Sequence, residues 1–304
     1  MKIFLNKINE GWIVDRVSSE FKLKFKSLIT KNIKKADIVW IIAPWTWRKI
    51  SEKSLIGKKV ICTYHHFDFS NFNKDEFDYL DQYVDEYHVI SQKTKEDLSK
   101  LTEKKITSIP FWVDEELFFY IKEKEFLKEK YGFNKEDYLV GSFQRDTEGS
   151  DLISPKLVKG PDIFLKIVKD IFKDNRNLKV VLSGKRRQYL ISNFEKFEIP
   201  YRYFEMVDFK VLNELYNLLD IYIVSSRIEG GPQAIIECGL TKTPIISTDV
   251  GFASEILSPD SIFENSNYKL ARPNVDLAYK NSLEFTKELG FSKFYEMFEL
   301  LYKS

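Results

Sequence analysis

The stretch from Ile221 to Gly251, IYIVSSRIEGGPQAIIECGLTKTPIISTDVG, constrains the fold more than any other part of the chain. Ile221–Val224 is wholly apolar and rich in β-branched residues, as a parallel strand buried on both faces should be. Residues 225 to 231 form a polar turn that ends in Gly230 and Gly231. Pro232 suits the first helical position, where its missing N–H would have no partner anyway. The helix is expected to reach about Leu240, a second apolar strand covers residues 244 to 248, and Asp249, Val250 and Gly251 turn away from it. Strand, helix and parallel strand make a right-handed βαβ unit, and ligands of such sheets gather at the carboxyl ends of the strands. The fold class is therefore α/β.

Two carboxylates stand out in this unit. Glu229 precedes the paired glycines, just outside the helix. Glu237 lies within the helix between Ile236 and Cys238, beyond the first turn, so the helix dipole does little to explain it. A carboxylate among apolar neighbours needs a partner. A structural Lys or Arg would serve, and so would a pair of ribose hydroxyls, because an ionised carboxylate only accepts hydrogen bonds.

The segment SSRIEGGPQAIIE resembles the Glu-x7-Glu signature of retaining glycosyltransferases of the GT-B fold, family 4 type. Ser-Arg stands before the first Glu, and TPIISTDVG follows the helix, as in that family. The resemblance implies two Rossmann-like, doubly wound domains facing each other across a cleft. It also implies that Glu229 contacts the donor sugar and that Glu237 holds the ribose of the nucleotide. The usual motif reads Glu-Gly-Phe-Gly, whereas this chain has Glu-Gly-Gly-Pro-Gln. Gly230 and Gly231 still let backbone N–H groups approach a diphosphate, but Pro232 and Gln233 leave the donor sugar open.

The chain before this unit divides in two. A short strand at residues 2 to 6 leads through Gly11 into an amphipathic helix at residues 12 to 25. Gly11 is either an ordinary turn glycine or, as the resemblance implies, a donor-side residue at the reaction centre. A strand at residues 36 to 43 ends at Pro44, and Trp45 and Arg48 beyond it either stack on a sugar or pack the following helix. Another strand, residues 59 to 63, leads into Tyr64, His65, His66, Phe67 and Asp68. Adjacent side chains in an extended segment diverge, and no third ligand is evident, so a metal site is not expected. The resemblance implies a sugar-facing catalytic histidine here, matched best by His65, with His66 as the alternative. Further strands are expected at residues 84 to 91 and 104 to 110, around a helix at 92 to 101. The phrase IPFWVD at residues 109 to 114, with Phe118 following, resembles the family's crossing between domains, which places a linker near residues 111 to 122. The expected domains are 1–115 on the acceptor side and 116–289 on the donor side, with a C-terminal helix at about 290–304 packing back onto the first.

The second domain opens with a charged helix at residues 122 to 130 and a strand at residues 138 to 143. A long turn, residues 144 to 159, then carries Arg145, Lys156 and Lys159. Loops of this length between strand and helix are more often functional than not. The resemblance implies a diphosphate grip by Arg145 and Lys159, with Lys156 competing for the second place because residues 146 to 158 are inserted. After the central unit, a weak strand covers residues 261 to 263, and helices are expected at 275 to 289 and 291 to 302.

Composition narrows the partners. The 304 residues balance 47 Lys and Arg against 46 Asp and Glu, a net charge of +1, which gives no support for nucleic acid. The two cysteines, Cys62 and Cys238, sit in separate apolar segments and read as buried thiols of a reducing compartment. No signal peptide is visible, and no apolar run nears the roughly 20 residues of a membrane-spanning helix. A cytoplasmic protein is expected, with peripheral membrane contact if the acceptor is a lipid. No Gly-x-x-x-x-Gly-Lys-Ser/Thr, Gly-x-Gly-x-x-Gly, Asp-x-Asp, Cys-x-x-Cys or His-Glu-x-x-His occurs. The expected function is metal-independent, retaining sugar transfer from a nucleotide-diphosphate donor to a glycan or lipid-linked hydroxyl, with no further cofactor. The alternatives are a GT-B sugar-nucleotide epimerase or phosphorylase, and a non-catalytic sugar-nucleotide-binding subunit.

Overall fold

A computed structural model describes residues 1–6, 13–149, 151–264 and 267–304. Gly11 lies outside the described residues. The chain forms two compact units, one of residues 1–112 with 287–304, the other of residues 113–286.

The first unit holds five parallel strands in the order β1 (Ile3–Leu5), β2 (Ile38–Ile41), β3 (Lys59–Tyr64), β4 (Glu86–Val89) and β5 (Lys105–Ser108). That order alone shows no reversal, but Ile29 supplies one. It bridges Ile3 in parallel on the far edge of β1, with Ile3 N donating to Leu28 O at 2.7 Å and Thr30 N to Ile3 O at 2.9 Å. The chain thus leaves β1 through α1 (Ile13–Lys24), touches down beyond β1, and returns to place β2 on its other side. Winding reverses there, so the switch point lies between the carboxyl ends of β1 and β2.

Each face of this sheet has its own core. On one, Val14, Val17 and Phe21 of α1 meet Ile38 and Trp40. The other gathers Trp47, Val60, Cys62, Phe77 and Tyr87. Phe77 belongs to α2 (Lys74–Asp81), a helix the sequence reading does not expect, and α3 (Gln92–Leu98) packs on the same face through Leu98. The signal for α2 is Asn73, whose side chain accepts from Glu76 N at 3.0 Å.

The second unit begins with α4 (Lys124–Lys130) and β6 (Tyr138–Ser142). It continues through α5 (Pro161–Asp174), β7 (Leu178–Ser183), α6 (Gln188–Lys196), β8 (Tyr201–Phe204), α7 (Phe209–Leu218), β9 (Ile221–Val224), α8 (Gln233–Thr241), β10 (Ile245–Thr248), α9 (Ala253–Ile256), β11 (Ile262–Phe263) and α10 (Val275–Ser282). Its six parallel strands run β11-β10-β9-β6-β7-β8, so the winding reverses between β6 and β9. Both faces are covered, one by α5 and α6, the other by α7, α8 and α10. That double covering explains why β9 is apolar without alternation.

Two boundaries differ from expectation. Pro232, with φ −62° and ψ 109°, caps α8 from outside instead of forming its first residue. α11 (Lys287–Lys303) runs straight through Gly290, where a break is expected, and the break falls at residues 283–286. Gly290 is small because Trp112 packs against its backbone, where a Cβ would come within 2.8 Å. The same Trp112 fixes the unit boundary at 112/113 and 286/287, against expected positions near 115 and 289. Trp112 stacks edge-on against Phe291 and Phe294 of α11 in the first core, while Val113 enters the core of the second and donates its N–H to Phe285 O.

Candidate active site

The carboxyl ends of β6 and β9 carry the densest group of polar side chains singled out by sequence. The turn after β9 brings Glu229 to the end of the long β6–α5 loop, where its Oε1 forms an ion pair with Lys159 and accepts from Ser226 Oγ at 3.1 Å. Gln144 ties the same loop down by donating to Lys159 O at 2.8 Å. Seventy residues of sequence separate Lys159 from Glu229. Backbone contact makes the meeting possible. Gly160 sits at φ +59° against the Ser225 carbonyl, with which any Cβ would collide. Gly251, at φ +53°, crosses the Gly230–Gly231 peptide in the same way.

Lys156 and Arg145 stand on the same loop. Arg145 is exposed. Burial is the main cause that lowers the Lys156 pKa, and repulsion from Arg145 and Lys159 adds to it, while Glu148 and Glu229 oppose it. Lys156 thus stands close enough to both other cations to feel their charge, and of the three Lys159 alone has a carboxylate partner among the described residues. Gly230 is buried, and neither its N–H nor that of Gly231 donates to a backbone carbonyl among the described residues. The Phe252 ring lies against Gly231 where a side chain would stand.

Glu237 is buried on α8, and its Oε2 accepts from the Tyr216 hydroxyl at 2.7 Å. A tyrosine of α7 is thus one partner of this carboxylate. Burial, then the Glu237 charge, pushes the Tyr216 pKa well up, so the phenol stays a donor.

Sequence reasoning missed Arg187 and Asp146. Arg187 is fully buried and ion-paired with Asp146 at 3.1 Å. It also donates to Ser142 O at 2.6 Å and Ser183 O at 2.8 Å, joining the ends of β6 and β7. Burial lowers the Arg187 pKa and raises that of Asp146, and their mutual attraction opposes both shifts. The pair fixes the root of the loop that carries Arg145, Lys156 and Lys159. A basic residue just after a strand and its Gly was the available signal, but it reads equally as a solvated turn.

In the first unit, His65 follows β3 and is buried, with Nε2 2.9 Å from Ile42 O. A carbonyl only accepts, so Nε2 carries the proton. Burial, reinforced by His66 and opposed by the Ile42 bond, lowers the His65 pKa to about 4. His65 lies beside the switch point, where Asn6 Oδ1 accepts from Ile42 N at 3.1 Å. His66 is exposed. The Trp45 ring, half exposed, lies 5.4 Å from that of His65, and both line a cavity of about 390 Å³ with Arg48, His66, Asp68 and Glu76. Arg48 itself packs over Trp47 and Tyr79 and pairs with Glu76 at 2.8 Å, which is the structural alternative for it. Among the described residues, no three or more His, Cys, Asp or Glu side chains gather as a metal site, and no helix is long and apolar enough to cross a membrane.

Known proteins place this architecture. No curated protein sequence matches the chain. The HepE protein of Anabaena, solved in complex with UDP and glucose, matches with a TM-score of 0.75 at 11% identity, over 98% of this chain and 99% of that one. Sucrose-phosphate synthase of Thermosynechococcus elongatus matches with a TM-score of 0.70 at 12% identity, over 98% and 81%. A glycosyltransferase of Rickettsia africae gives 0.68 at 19% identity, over 98% and 84%. Residues 123–290, more than half of the chain and nearly all of the second unit, match the family of glycosyl transferases group 1. With two doubly wound units of this kind and that match, the chain has the GT-B fold and belongs to the glycosyl transferases group 1.

Proposed function

We propose that the protein moves a sugar from a nucleotide-diphosphate donor to a hydroxyl acceptor with retention of configuration, in the manner of family 4. The observation that carries this reading is the cation group Arg145, Lys156 and Lys159 beside Glu229 at the β6/β9 switch point. Breaking the anomeric C–O bond leaves charge on the departing diphosphate, and fixed cations aimed there stabilise it. The Gly230 and Gly231 N–H groups add donors without needing a metal. Glu229 Oε1 takes both Lys159 and Ser226, while Oε2 makes no hydrogen bond among the described residues, so one oxygen remains for a sugar hydroxyl. Glu237, oriented by Tyr216, accepts from the ribose hydroxyls. His65 meets the sugar as a neutral imidazole.

In the step itself, the acceptor oxygen bonds to the anomeric carbon on the face the phosphate leaves. The acceptor proton passes to the departing phosphate oxygen, so no protein nucleophile is needed. HepE holds UDP and glucose, and UDP-glucose is accordingly the first donor to try. The acceptor is a glycan or lipid-linked hydroxyl bound on the first unit, where Trp45 offers a ring face in the cavity beside His65. Incubation with a panel of nucleotide sugars and acceptors, with product anomers assigned by NMR, tests the reading. Retained transfer that survives EDTA is expected. An inverted product, an epimerised donor, or loss of activity restored only by a divalent cation would overturn the corresponding part.

A further inference from the structure

Charge is distributed unevenly along the chain. Residues 1 to 60 hold 14 Lys and Arg against 5 Asp and Glu, a net of +9, while the whole chain carries +1. The remaining residues therefore sum to −8. The fold concentrates part of this excess at one end of the first unit. Lys34 and Lys35 precede β2, and Lys58 and Lys59 open β3, so all four stand at the amino ends of parallel strands. Together they line a cavity of about 650 Å³ with Asp37, Asp85 and Tyr302. The two carboxylates are engaged by backbone. Asp37 accepts from Lys2 N at 2.6 Å and Asp85 from Val60 N at 2.7 Å. Lys58 donates to Ala36 O at 2.6 Å, but Lys34, Lys35 and Lys59 have no ion-pair partner among the described residues.

An apolar side chain projects beside them. Residues 55 to 58 form a tight turn, closed by Lys58 N donating to Leu55 O at 3.2 Å, with Gly57 at φ +73°. Ile56 at its tip is 73% exposed, whereas Leu55 is buried. Lys53, Lys58 and Lys59 flank that tip in sequence. Unpaired lysines around a projecting aliphatic side chain match the chemistry of an anionic bilayer surface, with headgroups for the cations and the acyl boundary for the isoleucine. A nucleic acid would use the cations but has no place for the isoleucine.

We infer that the amino-end face of the first sheet, Lys34, Lys35, Lys58 and Lys59 with Ile56, docks the protein on an anionic lipid membrane. Because strands of a parallel sheet share one direction, this face is at the end opposite His65. Docking through it holds the enzyme at the membrane while the carboxyl ends of the first sheet stay open to an acceptor. The inference does not rest on the proposed chemistry.

Co-sedimentation with vesicles tests it. The full chain should bind vesicles containing phosphatidylglycerol and not pure phosphatidylcholine, and added salt should release it. A lysine near such a surface contributes about a fivefold factor in partitioning, so Lys34→Gln/Lys35→Gln/Lys59→Gln should lower binding about a hundredfold. Ile56→Asp should lower it as well, and its exposed position leaves folding intact. UDP binding, read by calorimetry, should be unchanged in both variants, which separates this surface from the donor site. Absence of binding to anionic vesicles, or equal binding by the triple variant, would overturn the inference. So would equally tight binding to single-stranded DNA that Ile56→Asp leaves untouched, since that would make the face a general polyanion site.

Discussion

Substituting His65 by glutamine should remove about half of the stability that buried histidines cost the protein on mild acidification. The imidazole is buried, and its pKa is held down to about 4, chiefly by that burial. In the folded chain it stays neutral to about pH 4, whereas in the unfolded chain it takes up a proton below about 6.5. Between those values the unfolded state binds more protons, so stability falls as pH falls, by up to about 1.4 kcal/mol per pH unit. Integrated from pH 7 to pH 5, the loss from His65 is about 2 kcal/mol. His88 is buried on β4, and burial lowers its pKa to about 3, so it contributes a similar loss over the same range. Urea unfolding at pH 7 and pH 5 measures this in wild type and in His65→Gln. The carboxylates and His88 are common to both, so the difference between the two losses isolates His65. A smaller loss in the variant, by about 2 kcal/mol, is expected. An identical loss would show that His65 titrates like an exposed histidine, and its placement as a neutral residue at the β1/β2 switch point would fall with it.

Lys159→Ala should weaken nucleoside-diphosphate binding by about ten- to a hundredfold, because it removes a charge-assisted contact and leaves Glu229 facing the phosphates unpaired. Lys156→Ala should weaken it as well, since that lysine belongs to the same group of cations; calorimetry showing no change in either would remove the phosphate assignment. Glu229→Gln should lower kcat while nucleotide affinity holds or rises, because Lys159 is released; Glu237→Gln should mainly raise the donor KM. Full kcat in a normally folded Glu229→Gln, checked by thermal denaturation, would remove Glu229 from the catalytic residues. Arg187→Ala should destabilise the protein by about 3–5 kcal/mol, because Asp146 is left buried without its partner. A loss under about 1 kcal/mol in urea unfolding would mean that the pair does not anchor the loop.

Much of the second unit was legible in the sequence. β6 and β9 fall where their apolar runs predict, and the turn, helix and strand around Glu229 and Glu237 differ from expectation by a residue or two. The helix α2 was not legible, because only Phe77 and Leu80 of its eight residues are buried and its cap is a single asparagine. Lys159 and Glu229 were each singled out, but for separate duties on a donor, and their ion pair was not foreseen. Nothing local to either residue announces a partner 70 positions away.

By itself, the sequence determined the local structure: which runs are strands buried on both faces, where turns need glycine, and that a parallel α/β fold of two parts follows. Those properties depend on a few neighbouring residues, through backbone sterics and the spacing of apolar side chains. Tertiary structure alone decided the rest. It put Ile29 beside Ile3, so that the first sheet reverses its winding, and joined Arg187 to Asp146 across 41 residues. It gave Glu237 a tyrosine for a partner and closed the first core with Trp112 and α11. Each of these arises because a buried charge or an open sheet face must be satisfied by whatever the packed chain brings within reach, and that is fixed only when both ends of the contact are in place.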